Sequence, residues 1–182
     1  VTGFKVTCNN RANIISWTAT SDRSVRYVVV RSESGWIDNI SSGEVIFRGS
    51  ASSYADKKIE SGVPYYYNVF AERAGVYSKG AIGEFKETIN LFEVENVAIS
   101  SADSSLNITW DNIPRNATVE IYELQSNGSS RHIISTTSNG YLVTGLANDT
   151  VYKYQVSLSY VILGKRRETT GVVVSGMPVT PP

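Results

Sequence analysis

The chain has 182 residues, 41% of them hydrophobic, with 17 basic side chains balancing 17 acidic ones. That length divides naturally into two domains of about 100 residues, and no apolar run approaches the ~20 residues that a membrane-spanning helix needs. The charge balance, close to neutral in each half when the chain is cut at residue 91, lacks the basic footprint of a nucleic-acid or anionic-membrane binder, and a lone Cys8 excludes an intrachain disulfide.

Short alternating runs of Val, Ile, Thr and Tyr, separated by Gly, Asn, Asp and Ser clusters, recur along the chain without a sustained helical period. In the first half the pattern predicts strands at Phe4–Val6, Ile14–Thr18, Arg26–Arg31, Glu44–Arg48, Ser53–Ala55, Tyr65–Arg73 and Gly80–Phe85. In the second half it predicts them at Val97–Ile99, Leu106–Trp110, Thr118–Tyr122, His132–Ser135, Tyr141–Val143, Tyr152–Tyr160 and Thr170–Val174. Seven short strands per half, spaced about 8 to 12 residues apart, is the pattern of a β-sandwich.

The halves repeat one another. Phe4 and Trp17 align with Val97 and Trp110 at an offset of 93, whereas Tyr54, Ile59, Tyr65, Tyr67 and Val69 align with Tyr141, Leu146, Tyr152, Tyr154 and Val156 at 87. The six residues lost between the two offsets fall among the loops after the third strand, where insertions are best tolerated. One unit has been used twice.

Each half carries a Trp closing its second strand (Ile15-Ser16-Trp17, Ile108-Thr109-Trp110) and an Ile or Leu, a turn and a Tyr opening its sixth (Ile59 to Tyr65, Leu146 to Tyr152). These residues resemble the fibronectin type III signature over nearly the whole chain. The resemblance implies an all-β fold of two seven-stranded immunoglobulin-like sandwiches in tandem, residues 1–90 and 91–177, with a Pro-rich linker at 178–182. It also implies a structural core in which Trp17 and Trp110 fill the space between the sheets, while Tyr65 and Tyr152 bury their rings and return their hydroxyls to backbone near the preceding turn. Val63, where the family often has Thr, and the Gly-rich stretch Ser34 to Asn39 depart from the common pattern. Together with Val45 to Gly49 and Tyr65 to Ala71, that stretch looks more like the fibronectin-type domains of large bacterial multidomain proteins than like animal matrix modules.

No constellation of catalytic residues is legible. His132 is the only histidine, which rules out a two-histidine metal site, and it is expected to be an exposed structural residue of an edge strand. Cys8 is expected to be structural, and Gly164-Lys165-Arg166 lacks the flanking residues of a phosphate-binding loop. The acidic residues Glu84, Glu87, Glu93 and Glu95 match no calcium loop, and five Asn-X-Ser/Thr triplets begin at Asn39, Asn107, Asn116, Asn127 and Asn148. No cofactor or metal is expected.

Two features suit a binding partner. Lys165, Arg166 and Arg167 are predicted to form a loop between the last two strands, where three cations can meet an anionic ligand. Trp36, which has no counterpart in the second half, follows Gly35 in a loop where it either pins that loop to the sandwich or anchors a partner. The reading is a monomeric, non-catalytic interaction or spacer module of a larger protein, extracellular or at the cell surface, with a cytoplasmic place still open. The alternative is a carbohydrate-associated module with Trp36 and Tyr77 as the sugar-stacking aromatics.

Overall fold

The computed structural model describes residues 1–80 and 88–181. Strands account for all the regular structure among them, as the period-two patterning requires. They run β1 (Thr2–Asn9), β2 (Ala12–Thr18), β3 (Arg26–Ser32), β4 (Glu44–Gly49), β5 (Ser53–Asp56), β6 (Pro64–Arg73), β7 (Val76–Tyr77) and β8 (Thr88–Ile89) in the first part of the chain. The second part contains β9 (Glu95–Ala102), β10 (Ser105–Asp111), β11 (Ala117–Leu124), β12 (Ser130–Thr136), β13 (Gly140–Thr144), β14 (Tyr152–Ile162), β15 (Lys165–Glu168) and β16 (Val172–Gly176). The chain divides into two compact units, Val1–Leu91 and Phe92–Pro182.

Both units have the same plan. The first pairs a three-stranded sheet, β1-β2-β5, with a five-stranded one, β4-β3-β6-β7, in which β8 also pairs with β6. The second repeats it as β9-β10-β13 and β12-β11-β14-β15, with β16 also pairing with β14. Every pairing is antiparallel, so short turns suffice to connect neighbours. Strand β10 shows why a sandwich forms: Leu106, Ile108 and Trp110 are buried on one face while the residues between them are exposed, and that apolar face must be covered by a second sheet.

Each core centres on its indole. Trp17 packs against Tyr27 and Phe47 with ring centroids 5.5 and 6.0 Å apart, and in the second unit Trp110 is buried, as are Leu106, Ile108, Val119 and Ile121. In each unit the Trp amide donates to a carbonyl at the start of the edge strand, Trp17 to Ser52 and Trp110 to Asn139, so the repeat extends to single hydrogen bonds.

Three sequence expectations need correction. The last strand of the second unit, predicted as one piece from Thr170, is two: β15 begins at Lys165, and the ladder resumes with β16. The stretch Lys165 to Arg167 is therefore strand and not loop. The cause is a two-residue turn at Leu163 and Gly164, with φ of 50° and 74°, the backbone that matches strand twist in a tight hairpin. Third, Pro178 and Val179, expected in a linker, are bonded to the second unit: the Pro178 carbonyl accepts from the Asp149 amide and the Val179 amide donates to the Ala102 carbonyl. Most of the predicted strand Gly80–Phe85, and Glu84 and Glu87 with it, lies outside the described residues.

Candidate binding surfaces

The outer face of the five-stranded sheet, the side away from the sandwich core, differs between the two units. In β3 four successive residues, Tyr27 to Val30, are buried, so this strand is covered on both sides. Tyr27 and Val29 face the core; Val28 and Val30 face outward, where they meet Phe70 and Ile37. Ile37 comes from the loop 33–43, which folds back over the sheet, and the Asn68 side-chain amide fixes it by donating to the Ile37 carbonyl at 2.9 Å. The loop is braced further by Ser42 and Asn39: the Ser42 amide donates to the Asn39 carbonyl, and the Ser41 amide to the Asn39 side chain.

Ile37 therefore holds the loop to the sandwich, and the neighbouring Trp36 remains 59% exposed. The sequence offered Trp36 as that pin, whereas Ile37 is the residue buried against the sheet. Tyr77 is also partly exposed, but its ring lies 6.0 Å from the Arg48 guanidinium carbon, and Arg48 donates to its hydroxyl at 3.1 Å. One ring face is thus already occupied. Beside it, an apolar groove of about 470 Å³ is lined by Val25, Ala71, Ala74, Val76 and Tyr77.

In the second unit the equivalent face is polar. Val29 pairs with Val69, and Ile121 pairs with Val156, so Val28, Val30 and Phe70 correspond to Glu120, Tyr122 and Ser157. Both units carry a bulge at the same point against the next strand, which makes Val45 the counterpart of His132. The covering loop is missing: its equivalent, residues 125–129, is a short turn closed by Gln125 and Ser129.

Glu120 is the centre of this face, with its side chain only 5% exposed. Its Oε2 accepts from Ser135 at 2.5 Å and lies 2.8 Å from His132 Nε2; its Oε1 accepts from Ser159 at 2.7 Å and pairs with Arg166 at 3.0 Å. Burial disfavours the ionised carboxyl, but these hydrogen bonds outweigh it and hold the Glu120 pKa below the ordinary glutamate value. Arg166 also reaches Glu168, which accepts from Ser157 and Tyr122. His132 is exposed, as expected, with its side chain 46% exposed, and it is also a member of this network.

That network brings a histidine, a carboxylate and a serine together, yet not in the order of a nucleophilic triad. An ionised carboxylate only accepts, so His132 Nε2 carries a proton toward Glu120. The Ser135 hydroxyl, 3.3 Å from the same nitrogen, spends its own proton on Glu120. A triad needs the base to bond the carboxylate through one ring nitrogen and the nucleophile through the other.

The three consecutive cations do not form a cluster either. Strand alternation sends Arg166 to Glu120 and Glu168, while Lys165 and Arg167 are exposed on the opposite side of β15. Elsewhere, the Tyr65 hydroxyl accepts from the Glu60 amide at 3.0 Å and the Tyr152 hydroxyl from the Ala147 amide at 3.1 Å, the corner geometry in both units. Burial pushes the Cys8 thiol pKa up, which disfavours the thiolate a nucleophile needs. Glu93 closes the gap between β15 and β16 by accepting from the Thr169 hydroxyl and the Gly171 amide, and Glu95 accepts from Asn112. No cluster of three metal-ligating side chains occurs among the described residues.

No family model matches the sequence, and no curated protein does either. Among solved structures, the chain is similar to the chicken interferon gamma receptor alpha chain, with 98% of each covered, a TM-score of 0.65 and 12% identity. It is also similar to a two-domain fibronectin type III segment of chicken tenascin, over 97% of this chain and 98% of that one, with a TM-score of 0.58 and 12% identity. At that identity the likeness is one of fold, and the fold is that of two fibronectin type III sandwiches in tandem.

Proposed function

We propose that the chain is a non-catalytic interaction module that engages a partner through the loop 33–43, with Trp36 as the anchor. The observation that carries this reading is the contrast between two adjacent residues: Ile37 is buried in the sheet's outer cluster and Trp36 stands 59% exposed. A large aromatic on a loop already held by its neighbour loses little entropy on binding, which is what an interface hot spot requires. The non-catalytic part rests on the protonated face that His132 turns to Glu120, because this leaves the only imidazole unable to activate Ser135. The likeness to a receptor chain supports an extracellular or cell-surface setting.

A carbohydrate partner is the second reading, favoured by the same exposed indole, since sugars stack on such rings. Tyr77 adds less to it than Trp36 because Arg48 covers one face of its ring. The test compares the native chain with Trp36→Ala on a glycan array and in affinity capture from the source organism. Glycan binding lost on Trp36→Ala supports the carbohydrate reading, and loss of one defined protein partner supports the leading one. Binding that survives the substitution unchanged contradicts both.

A further inference from the structure

A sheet edge presents unpaired amides and carbonyls, and folded proteins usually blunt it with charge, proline or a bulge. Most edges here follow that practice. Strand β1 has Lys5 and a bulge, β4 has Glu44 and Arg48, β12 has Arg131 and a bulge against β11, and every residue of β15 is charged. Strand β16 carries no charge, but it packs beside β9 and leads into Pro178.

Among the described edges, the uncharged β7 and β8 are only two residues long, which leaves β13 as the longer unguarded edge. It reads Gly-Tyr-Leu-Val-Thr and pairs with β10 without a bulge. The chain has no charged residue from Ile133 through Asn148. Its outward-facing Leu142 is 53% exposed. The equivalent edge in the first unit, β5, is guarded: at the offset of 87, Leu142 matches Ala55 and Thr144 matches Lys57, with Lys58 following.

The ladder fixes which backbone groups remain available. The Trp110 amide donates to the Asn139 carbonyl, and antiparallel bonding alternates from there, so Tyr141 and Val143 bond β10 while Gly140, Leu142 and Thr144 turn their amides and carbonyls outward. We propose that β13 pairs antiparallel with β13 of a second copy of this chain, about a two-fold axis at Leu142. That register sets Leu142 against its own copy and Gly140 against Thr144, all with outward-facing groups, so each amide finds a carbonyl and the contact closes on itself. Tyr141 then lies opposite Val143, an aromatic and β-branched pair that suits neighbouring strands, and no like charges meet.

One strand pair is small beside a standard interface, so association is expected at roughly 100 µM to 1 mM. Sedimentation equilibrium of the 182-residue chain is expected to show a monomer–dimer equilibrium in that range. Hydrogen exchange at the Gly140, Leu142 and Thr144 amides should slow as concentration rises. Thr144→Lys gives β13 the lysine that directly follows β5 at position 57, and at this exposed site it should preserve folding while weakening dimerisation at least about tenfold. Leu142→Lys, which sets two like charges face to face, should do the same. A chain that stays monomeric throughout overturns the proposal, as does a dimer that both lysine variants retain. Protection of the three amides that appears only when an unrelated extended peptide is added would also overturn it, identifying a foreign strand as the occupant.

Discussion

The outer faces of the two five-stranded sheets occupy the same register and reach stability by opposite means. The first unit places Val28, Val30, Val45 and Phe70 there and covers them with a loop carrying Ile37. The second places Glu120, Tyr122, His132 and Ser157 there, shortens the loop, and pairs the polar groups with one another. A sheet face outside the core can thus be sealed with apolar side chains or left open once its hydrogen bonds are satisfied. Loop length and face composition changed together: of the six residues lost between the halves, one falls before β3, where the offset becomes 92, and five fall between β3 and β4, in the covering loop.

The sandwich cores show the contrast reversed. In the first unit the Tyr67 hydroxyl accepts from Asn13 and donates to Asp56, each at 2.9 Å, and Asp56 in turn meets Arg31. Burial raises the Tyr67 pKa far above the ordinary tyrosine value. In the second unit Leu106 and Val143 take the places of Asn13 and Asp56, and the buried Tyr154 hydroxyl has no hydrogen-bond partner among the described residues. Burial pushes its pKa up to about 12.

The largest effect that separates the outer faces is expected from Ile37→Ala. Removing the apolar pin should destabilise the first unit by about 2–4 kcal/mol and leave the second unit's transition in place, as read by calorimetry. Glu120→Ala strands the Ser135, Ser159 and Arg166 donors and should cost the second unit about 1–3 kcal/mol. Tyr67→Phe should cost about 1–2 kcal/mol because Asn13 and Asp56 each lose a partner, whereas Tyr154→Phe should be neutral or slightly stabilising, since it removes a buried hydroxyl that bonds nothing.

Acid should sharpen the comparison as well. Because the folded state holds the Glu120 pKa below the unfolded value of about 4.3, the stability it contributes is present above that value and is lost as pH falls through the lowered folded pKa. Glu120→Gln should flatten this part of the second unit's stability profile below about pH 4. Trp36→Ala should have the smallest effect on folding, within about 0.5 kcal/mol, as expected for an exposed position.

Much of the fold was legible because it depends on local periodicity. The strands and the repeat follow from spacing along the chain, and the roles of both indoles and both corner tyrosines follow from the resemblance that the repeat carries. The site was less legible because it depends on register. Glu120, His132 and Ser135 are 12 and 15 residues apart and converge only through a bulge that spacing does not reveal. Aligning the third strands at an offset of 92, which sets Val28 against Glu120, would have exposed the change of character. Trp36 and Ile37 are adjacent apolar residues in an irregular loop, where no period distinguishes the inner from the outer. The error at Lys165 to Arg167 was avoidable, since Gly164 two residues after Ile162 is a hairpin signal.

The account depends on each unit having a complete core built around its own tryptophan. Amide-resolved NMR of Trp17→Ala and Trp110→Ala tests this most directly, because either truncation removes about 3–5 kcal/mol from its own core. The expected spectrum of each variant retains the dispersed signals of the untouched unit and loses or weakens those of the other. Simultaneous collapse of both sets of signals from a single substitution would contradict the account, since it would mean that the two units share one cooperative core.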